Sequence, residues 1–205
     1  MVTIDQIKQL REETGISVSE CKKALDLAQG DLGKAREFLK TKGQSIAQKK
    51  SDRAANAGII SSYIHQGSQV GVLLDLRCET DFVALSADFV NLAHELCLQI
   101  AAGNPIYASE KDIPEEILNK EKEAALEQFK DSNKPANIIN NIIEGKLGKY
   151  KQERVLLSQP WVKDPDKTIK DLVNEYIAKL GENILPKRFV RYELSNSSSS
   201  NSPCI

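Results

Sequence analysis

The apolar residues of the first 43 positions recur every three or four residues, which predicts short amphipathic helices. A capping box of Thr3 and Gln6 opens the first helix, and a second box of Ser17 and Glu20 opens the next. Helix ends are predicted at three glycines: Gly15, Gly30 and Gly43. Residues 1–43 are therefore expected to form a three-helix bundle, whose small size suits a module of a larger protein.

The hydrophobic pattern changes to a two-residue period after a polar stretch. Residues 44–56 contain three basic residues and one acid, and they are predicted to be a basic linker or an exposed basic helix. From Gly58 onward, apolar and polar residues alternate on two segments joined by a turn at 65–68. This arrangement is typical of a β-hairpin.

Helical patterns return after the hairpin, and a strand closes the ordered chain. One helix is predicted to follow Ser86, two begin at Pro114 and Pro135, and the last ends at Gly181. A strand at 189–194 is expected to return to the hairpin. Helices inserted between strands of one antiparallel sheet predict an α+β fold.

These patterns divide the chain into four parts. We expect the helical bundle at 1–43, the basic linker at 44–56, an α+β core at 57–194 and a disordered tail at 195–205. The tail is expected to be disordered because it is made largely of Ser and Asn and offers little apolar surface to bury.

Composition excludes several classes of protein. Because 28 basic residues oppose 29 acidic ones, the net charge is −1, which argues against strong non-specific binding to nucleic acid. Apolar runs are far shorter than the roughly 18 residues that span a bilayer, and the N-terminus lacks the pattern of a leader peptide. The four scattered cysteines suit a reducing compartment, and all except Cys204 are predicted to be buried.

The familiar motifs of catalysis and cofactor binding are missing from the sequence. It contains no glycine-rich phosphate loop, no nucleophile elbow and no histidine pair with metal-ligand spacing. We therefore predict no catalytic residue, no metal ligand and no cofactor. The sequence is not expected to encode an enzyme.

One segment has an unusual composition for a turn. Cys78–Ala84 follows an apolar strand and places an acid, Asp81, beside a bulky aromatic residue, Phe82. In one interpretation, Thr80 and Asp81 cap a helical turn and Phe82 anchors it in the core. In the other, Phe82 contacts a partner, since loops at strand ends often carry binding residues.

Several motifs stand out along the chain. They are Leu10–Gly15, Cys21–Leu25 and Gly30–Asp31 near the N-terminus, the central segment Cys78–Ala84, and the later segments Gln159–Asp164 and Gly181–Ile184. In this order they resemble the motifs of the elongation factor Ts family: the first three are similar to its ubiquitin-associated-like N-terminal module, and Cys78–Ala84 is similar to its central signature. The resemblance covers residues 2–194 and is to the short form of the family, with a single core repeat.

The resemblance implies guanine-nucleotide exchange on elongation factor Tu. A protein of this family binds the GDP-bound and nucleotide-free partner and promotes replacement of GDP by GTP. The residues implied to disturb the partner's magnesium site are Thr80, Asp81, Phe82 and Val83. No direct contact with nucleic acid or membrane is implied, and the compartment would be the bacterial cytoplasm or the plastid stroma.

The same resemblance implies that the N-terminal module docks on the partner's GTPase domain. The residues placed at that contact are Arg11, Val18, Ser19 and Lys22. Val18 and Ser19 replace a methionine pair usual in the family, a change that we expect to weaken or retune the docking. A homodimer through the last strand would be non-covalent, because Val190 offers no thiol.

Two other functional classes remain as alternatives. One is an adaptor whose bundle binds a peptide or a ubiquitin-like partner. The other is an enzyme that depends on carboxylates or on a metal ion, which would show turnover without any partner.

Overall fold

The computed structural model describes residues 2–128 and 135–194. Within these residues the helices are α1 Ile4–Thr14, α2 Val18–Leu27, α3 Leu32–Lys50, α4 Asp81–Ala84, α5 Ala87–Gly103, α6 Glu115–Glu127, α7 Ala136–Arg154 and α8 Ile169–Leu180. The strands are β1 Ala57–Ile64, β2 Val70–Cys78, β3 Pro160–Trp161, β4 Asp164–Thr168 and β5 Leu185–Glu193. Helices packed on an antiparallel sheet confirm the α+β class, with the predicted helices at the N-terminus.

The first three helices pack around a small core of their own. Its buried residues are Leu10, Cys21, Ala24, Leu25, Ala35 and Leu39. The capping box of Thr3 and Gln6 is present at the start of α1. At α2, Ser17 caps the helix by accepting from the Glu20 N–H, but the Glu20 carboxylate pairs with Lys23 and Lys42. Only the serine half of that predicted capping box is therefore observed.

The predicted helix end at Gly43 is wrong, because α3 continues to Lys50. Gly43 is buried against α8, where an added Cβ would lie 3.6 Å from the Ala178 Cβ. Beyond it, Ala47 is buried in the main core and Ile46 packs against it. Packing against the core therefore continues the helix through a glycine. The first seven residues of the predicted linker 44–56 are helical, while the division into domains stays a prediction.

The main core lies beneath one face of a three-stranded antiparallel sheet. The strand order is β1-β2-β5, with Leu74 of β2 paired with Ser61 of β1 and Phe189 of β5. Helices α5 and α8 pack beside each other in this core, and α5 lies directly against β1 and β2. The predicted hairpin and the returning strand are confirmed, although β5 begins earlier, at Leu185.

A second, two-stranded sheet of β3 and β4 was not predicted. It is held by two buried glutamines: the Gln99 amide donates to Gln159 Oε1 at 3.0 Å, and Gln99 Oε1 accepts from the Val162 N–H at 2.9 Å. Strands as short as β3, with two residues, show no alternating pattern that a sequence could reveal.

Cys21, Cys78 and Cys97 are buried, which confirms the prediction made for these three cysteines. Cys204 and the predicted disordered tail lie outside the described residues. Across residues 2–128 and 135–194, no helix has both the length and the apolar character needed to cross a membrane.

Candidate functional site

The turn that follows β2 is anchored at both ends. The Cys78 thiol donates to the Thr80 carbonyl at 3.1 Å, and the Thr80 side-chain oxygen accepts from the Val83 N–H at 3.4 Å. These contacts begin the single-turn helix α4. At its far end Ala84 is buried, and Val83 packs against the main core.

Phe82 lies on the outer side of this turn and is 89% exposed. Thr80 caps the turn, as one interpretation of the segment predicted, but the accompanying prediction that Phe82 anchors the core is wrong. Residues two positions apart in a helix lie on nearly opposite sides, so burying Ala84 turns Phe82 toward solvent. Leu85, 80% exposed, extends the apolar surface.

Because the Phe82 ring is exposed, it adds little to the stability of this chain. Burial of a phenylalanine side chain stabilises a fold by about 1.5–3 kcal/mol. Two large apolar side chains face solvent on one turn, whose Thr80 and Val83 are fixed by the cap and by packing on the main core. This makes the turn a candidate contact surface.

Acidic groups surround the base of the turn. Asp81 is exposed in the first turn of α4, and Glu79 and Glu182 flank the end of β2. The Asn183 N–H, which donates to Glu79 Oε1 at 2.7 Å, lowers the pKa of that carboxyl, and the nearby Arg53 lowers it further. Burial raises the pKa of the Cys78 thiol, and the negative charge of Glu182 adds to this increase.

A second turn, at 181–183, supports the first. Gly181 ends α8 in a left-handed conformation, with φ of 75°, and the chain then turns toward the end of β2. Glu182 and Asn183 form hydrogen bonds with Glu79 and Thr80, which lie at the end of β2. Neither Glu182 nor Asn183 was predicted as a site residue. The only signal in the sequence was the motif Gly181–Ile184, which carried no assigned role.

The N-terminal candidates lie on the bundle and not at the turn. Val18, Ser19 and Lys22 occupy the first turns of α2 at helical spacing, so they share one side of that helix. Arg11 lies in the last turn of α1, and all four side chains are exposed. The structure thus has two candidate surfaces, one over the bundle core and one over the main core.

The described residues, 2–128 and 135–194, contain no group of three or more His, Cys, Asp or Glu side chains placed to hold a metal ion. The acidic residues near the turn therefore form no such cluster in this part of the chain.

Comparison with known proteins identifies the family. A family model described as Elongation factor TS matches residues 33–196. The chain is 50% identical over 193 residues to elongation factor Ts of Caldanaerobacter subterraneus subsp. tengcongensis, covering 94% of this chain and 96% of that relative. It is also 50% identical over 196 residues to elongation factor Ts of Thermodesulfovibrio yellowstonii, covering 96% and 98%.

A third relative, elongation factor Ts of Coprothermobacter proteolyticus, is 51% identical over 193 residues, covering 94% of this chain and 98% of the relative. An α+β fold with helices at its N-terminus, in a chain about half identical to these relatives, is accordingly that of a translation elongation factor. The chain belongs to the elongation factor Ts family.

Proposed function

We propose that this protein is a guanine-nucleotide exchange factor that binds elongation factor Tu in its GDP-bound and nucleotide-free forms. It promotes exchange of GDP for GTP, performs no covalent chemistry and is not an enzyme. The observation that carries the proposal is the exposed Phe82 ring on an anchored turn, beside the exposed Asp81 carboxylate. Membership of the elongation factor Ts family supports elongation factor Tu as the partner.

The four residues of the turn have different roles in this proposal. Thr80 and Val83 fix the turn to the main core, through the cap and through packing. Asp81 and Phe82 reach outward, so they are the groups that enter beside the partner's nucleotide and disturb its magnesium ion. We call this turn the wedge, because it enters the partner beside the nucleotide and displaces the groups around the magnesium ion.

The electrostatic energy available from one carboxylate is large enough to weaken GDP binding. A carboxylate brought about 4 Å from a unit charge changes the interaction energy by about 4 kcal/mol at the effective dielectric constant of a protein surface. Each 1.4 kcal/mol corresponds to about a tenfold change in affinity, so an interaction of about 4 kcal/mol corresponds to a change in GDP affinity of up to about a thousandfold. The effect is reciprocal: GDP must lower the partner's affinity for this protein by the same factor.

The bundle supplies the second contact. Arg11 and Lys22 offer positive charge, and Val18 adds an apolar side chain that is 49% exposed. With Ser19 they dock on the partner's GTPase domain and hold the wedge at the nucleotide site. We place the protein where elongation factor Tu acts, in the bacterial cytoplasm or the plastid stroma.

A non-covalent homodimer is a further part of the proposal. The outer face of the sheet exposes Ile60, Ile64 and Leu73, and Leu73 pairs with Val190 of β5 on the same face. Such a face suits a second copy of this chain. Sedimentation velocity is expected to show a dimer that Leu73→Lys converts to a monomer, and a wild-type protein that sediments as a monomer at micromolar concentration would remove the dimer from the proposal.

The exchange function is tested by mixing the protein with elongation factor Tu loaded with fluorescent GDP. Faster GDP release is expected. An adaptor would instead capture a peptide or ubiquitin-like protein and leave GDP release unchanged, and an enzyme would turn over a substrate with no partner present.

A further inference from the structure

We propose that Glu182 is a positioning residue, which holds the Asp81–Phe82 turn in the orientation that exchange requires. The inference rests on the proposed exchange function and adds to it a residue to which no role has been assigned. Glu182 lies about 100 positions from the turn in sequence, yet its side chain contacts the turn directly.

Both carboxylate oxygens of Glu182 accept hydrogen bonds from the base of the turn. Oε2 accepts from the backbone N–H groups of Glu79 at 3.1 Å and Thr80 at 3.0 Å. Oε1 accepts from the Thr80 hydroxyl at 2.6 Å. A carboxylate that accepts three hydrogen bonds from two consecutive residues fixes both the position and the direction of the chain entering α4.

A second set of hydrogen bonds holds the turn at 181–183, which carries Glu182. The Asn183 N–H donates to Glu79 Oε1 at 2.7 Å, and the Asn183 side-chain amide donates to the Arg53 carbonyl at 2.8 Å. Lys50, at the end of α3, donates to the Gly181 carbonyl. Glu182 therefore projects from a turn that is itself fastened to the long helix of the bundle, so it offers a fixed support.

The turn gains from this support because its cap and its core packing hold only its inner side, through Thr80, Val83 and Ala84. Helix α4 has four residues, its cap bond from Val83 is 3.4 Å long, and the exposed Phe82 ring gains no packing from the core. A wedge that pivots about its base would present the ring and the Asp81 carboxylate in many orientations, of which few fit the partner. The three bonds to Glu182 restrict these orientations before the partner arrives. Once the bundle has docked, less free energy is then spent on ordering the turn at the nucleotide site, so the maximal rate of release rises.

Loss of these bonds should leave the fold intact. Glu79, Thr80 and Glu182 are all partly exposed, so water can reach the groups that a truncated side chain would release. In the variant Glu182→Gln, the new amide side chain has almost the same shape as the carboxylate that it replaces. Its carbonyl accepts from both backbone N–H groups, and its NH₂ donates to the Thr80 hydroxyl once that group rotates.

The test compares Glu182→Ala, Glu182→Gln and a control, Glu110→Ala. Glu110 is an exposed carboxylate that likewise accepts side-chain hydrogen bonds, from Lys151 and Ser158, away from the turn. For each variant we would measure the denaturant midpoint, hydrogen exchange of the Glu79 and Thr80 amides, and GDP release from elongation factor Tu over a range of variant concentrations.

Glu182→Ala is expected to remain folded with a modestly lower denaturant midpoint, to exchange both amides about tenfold faster or more, and to lower the maximal rate of GDP release about tenfold. Glu182→Gln should restore the amide protection and most of the rate, and Glu110→Ala should match wild type. Full maximal stimulation by a folded Glu182→Ala would overturn the inference. So would failure of Glu182→Gln to restore the rate, which would assign the effect to charge. A wild-type protein that leaves GDP release unchanged would instead overturn the exchange function itself.

Discussion

Phe82→Ala is expected to abolish most stimulation of GDP release while leaving the free energy of unfolding within about 0.5 kcal/mol of wild type. The ring is 89% exposed and contributes little to the core, so its removal creates no cavity. The proposed wedge, in contrast, loses its largest contact. A denaturant melt and stopped-flow release of fluorescent GDP, measured on the same preparation, separate the two effects.

The chain supplies a matched control for this change in Phe89, which is fully buried. Phe89→Ala should cost about 3–5 kcal/mol of stability, since the same truncation there leaves a cavity. Asp81→Ala should resemble Phe82→Ala, with a loss of at most about 1 kcal/mol from the first turn of α4. Wild-type stimulation by both folded site variants would contradict the wedge mechanism.

Deletion of residues 1–39 is expected to raise the concentration needed for half-maximal exchange by about tenfold or more, mainly through faster dissociation from the partner. The deletion removes Leu39 with the rest of the bundle core but retains Gly43 and Ala47, through which α3 packs on α8 and the main core. The remaining chain should therefore stay folded. Surface plasmon resonance on immobilised elongation factor Tu would measure the dissociation rate.

A double variant of the complete chain, Arg11→Ala with Lys22→Ala, controls for side effects of deletion. Both side chains are exposed, so the melting temperature should not change. The double variant should also dissociate faster, by a smaller factor than the deletion. If neither protein differed from wild type in dissociation rate, the docking role of the bundle would be wrong.

The elements that carry a strong periodic pattern could be predicted from the sequence. Alternating apolar residues placed the hairpin, and helical spacing with caps at Thr3 and Ser86 placed helices at both sites. The end of α3 could not be predicted in this way, because the helix continues past Gly43. A glycine is a helix stop in an isolated segment, but here its missing side chain allows α3 to approach α8 closely, which depends on residues far away in the sequence, such as Ala178.

The candidate site could likewise be predicted only in part. The segment Cys78–Ala84 was recognisable from its composition, yet only the structure shows that Phe82 lies outside the core. The support from Glu182 could not be predicted by local reasoning, because no periodicity or spacing links position 182 to position 80. That contact exists only because β5 and β2 are neighbours in the sheet and Gly181 turns the chain back toward the end of β2.

The exchange function is tested most directly by stopped-flow release of fluorescent GDP from elongation factor Tu, with magnesium held constant and this protein added at increasing concentration. The wedge mechanism predicts that the release rate rises with concentration to a plateau far above the spontaneous rate, and that the plateau falls when Phe82 is replaced by Ala. A release rate that stays at the spontaneous value at every concentration, while the two proteins still bind, would contradict it.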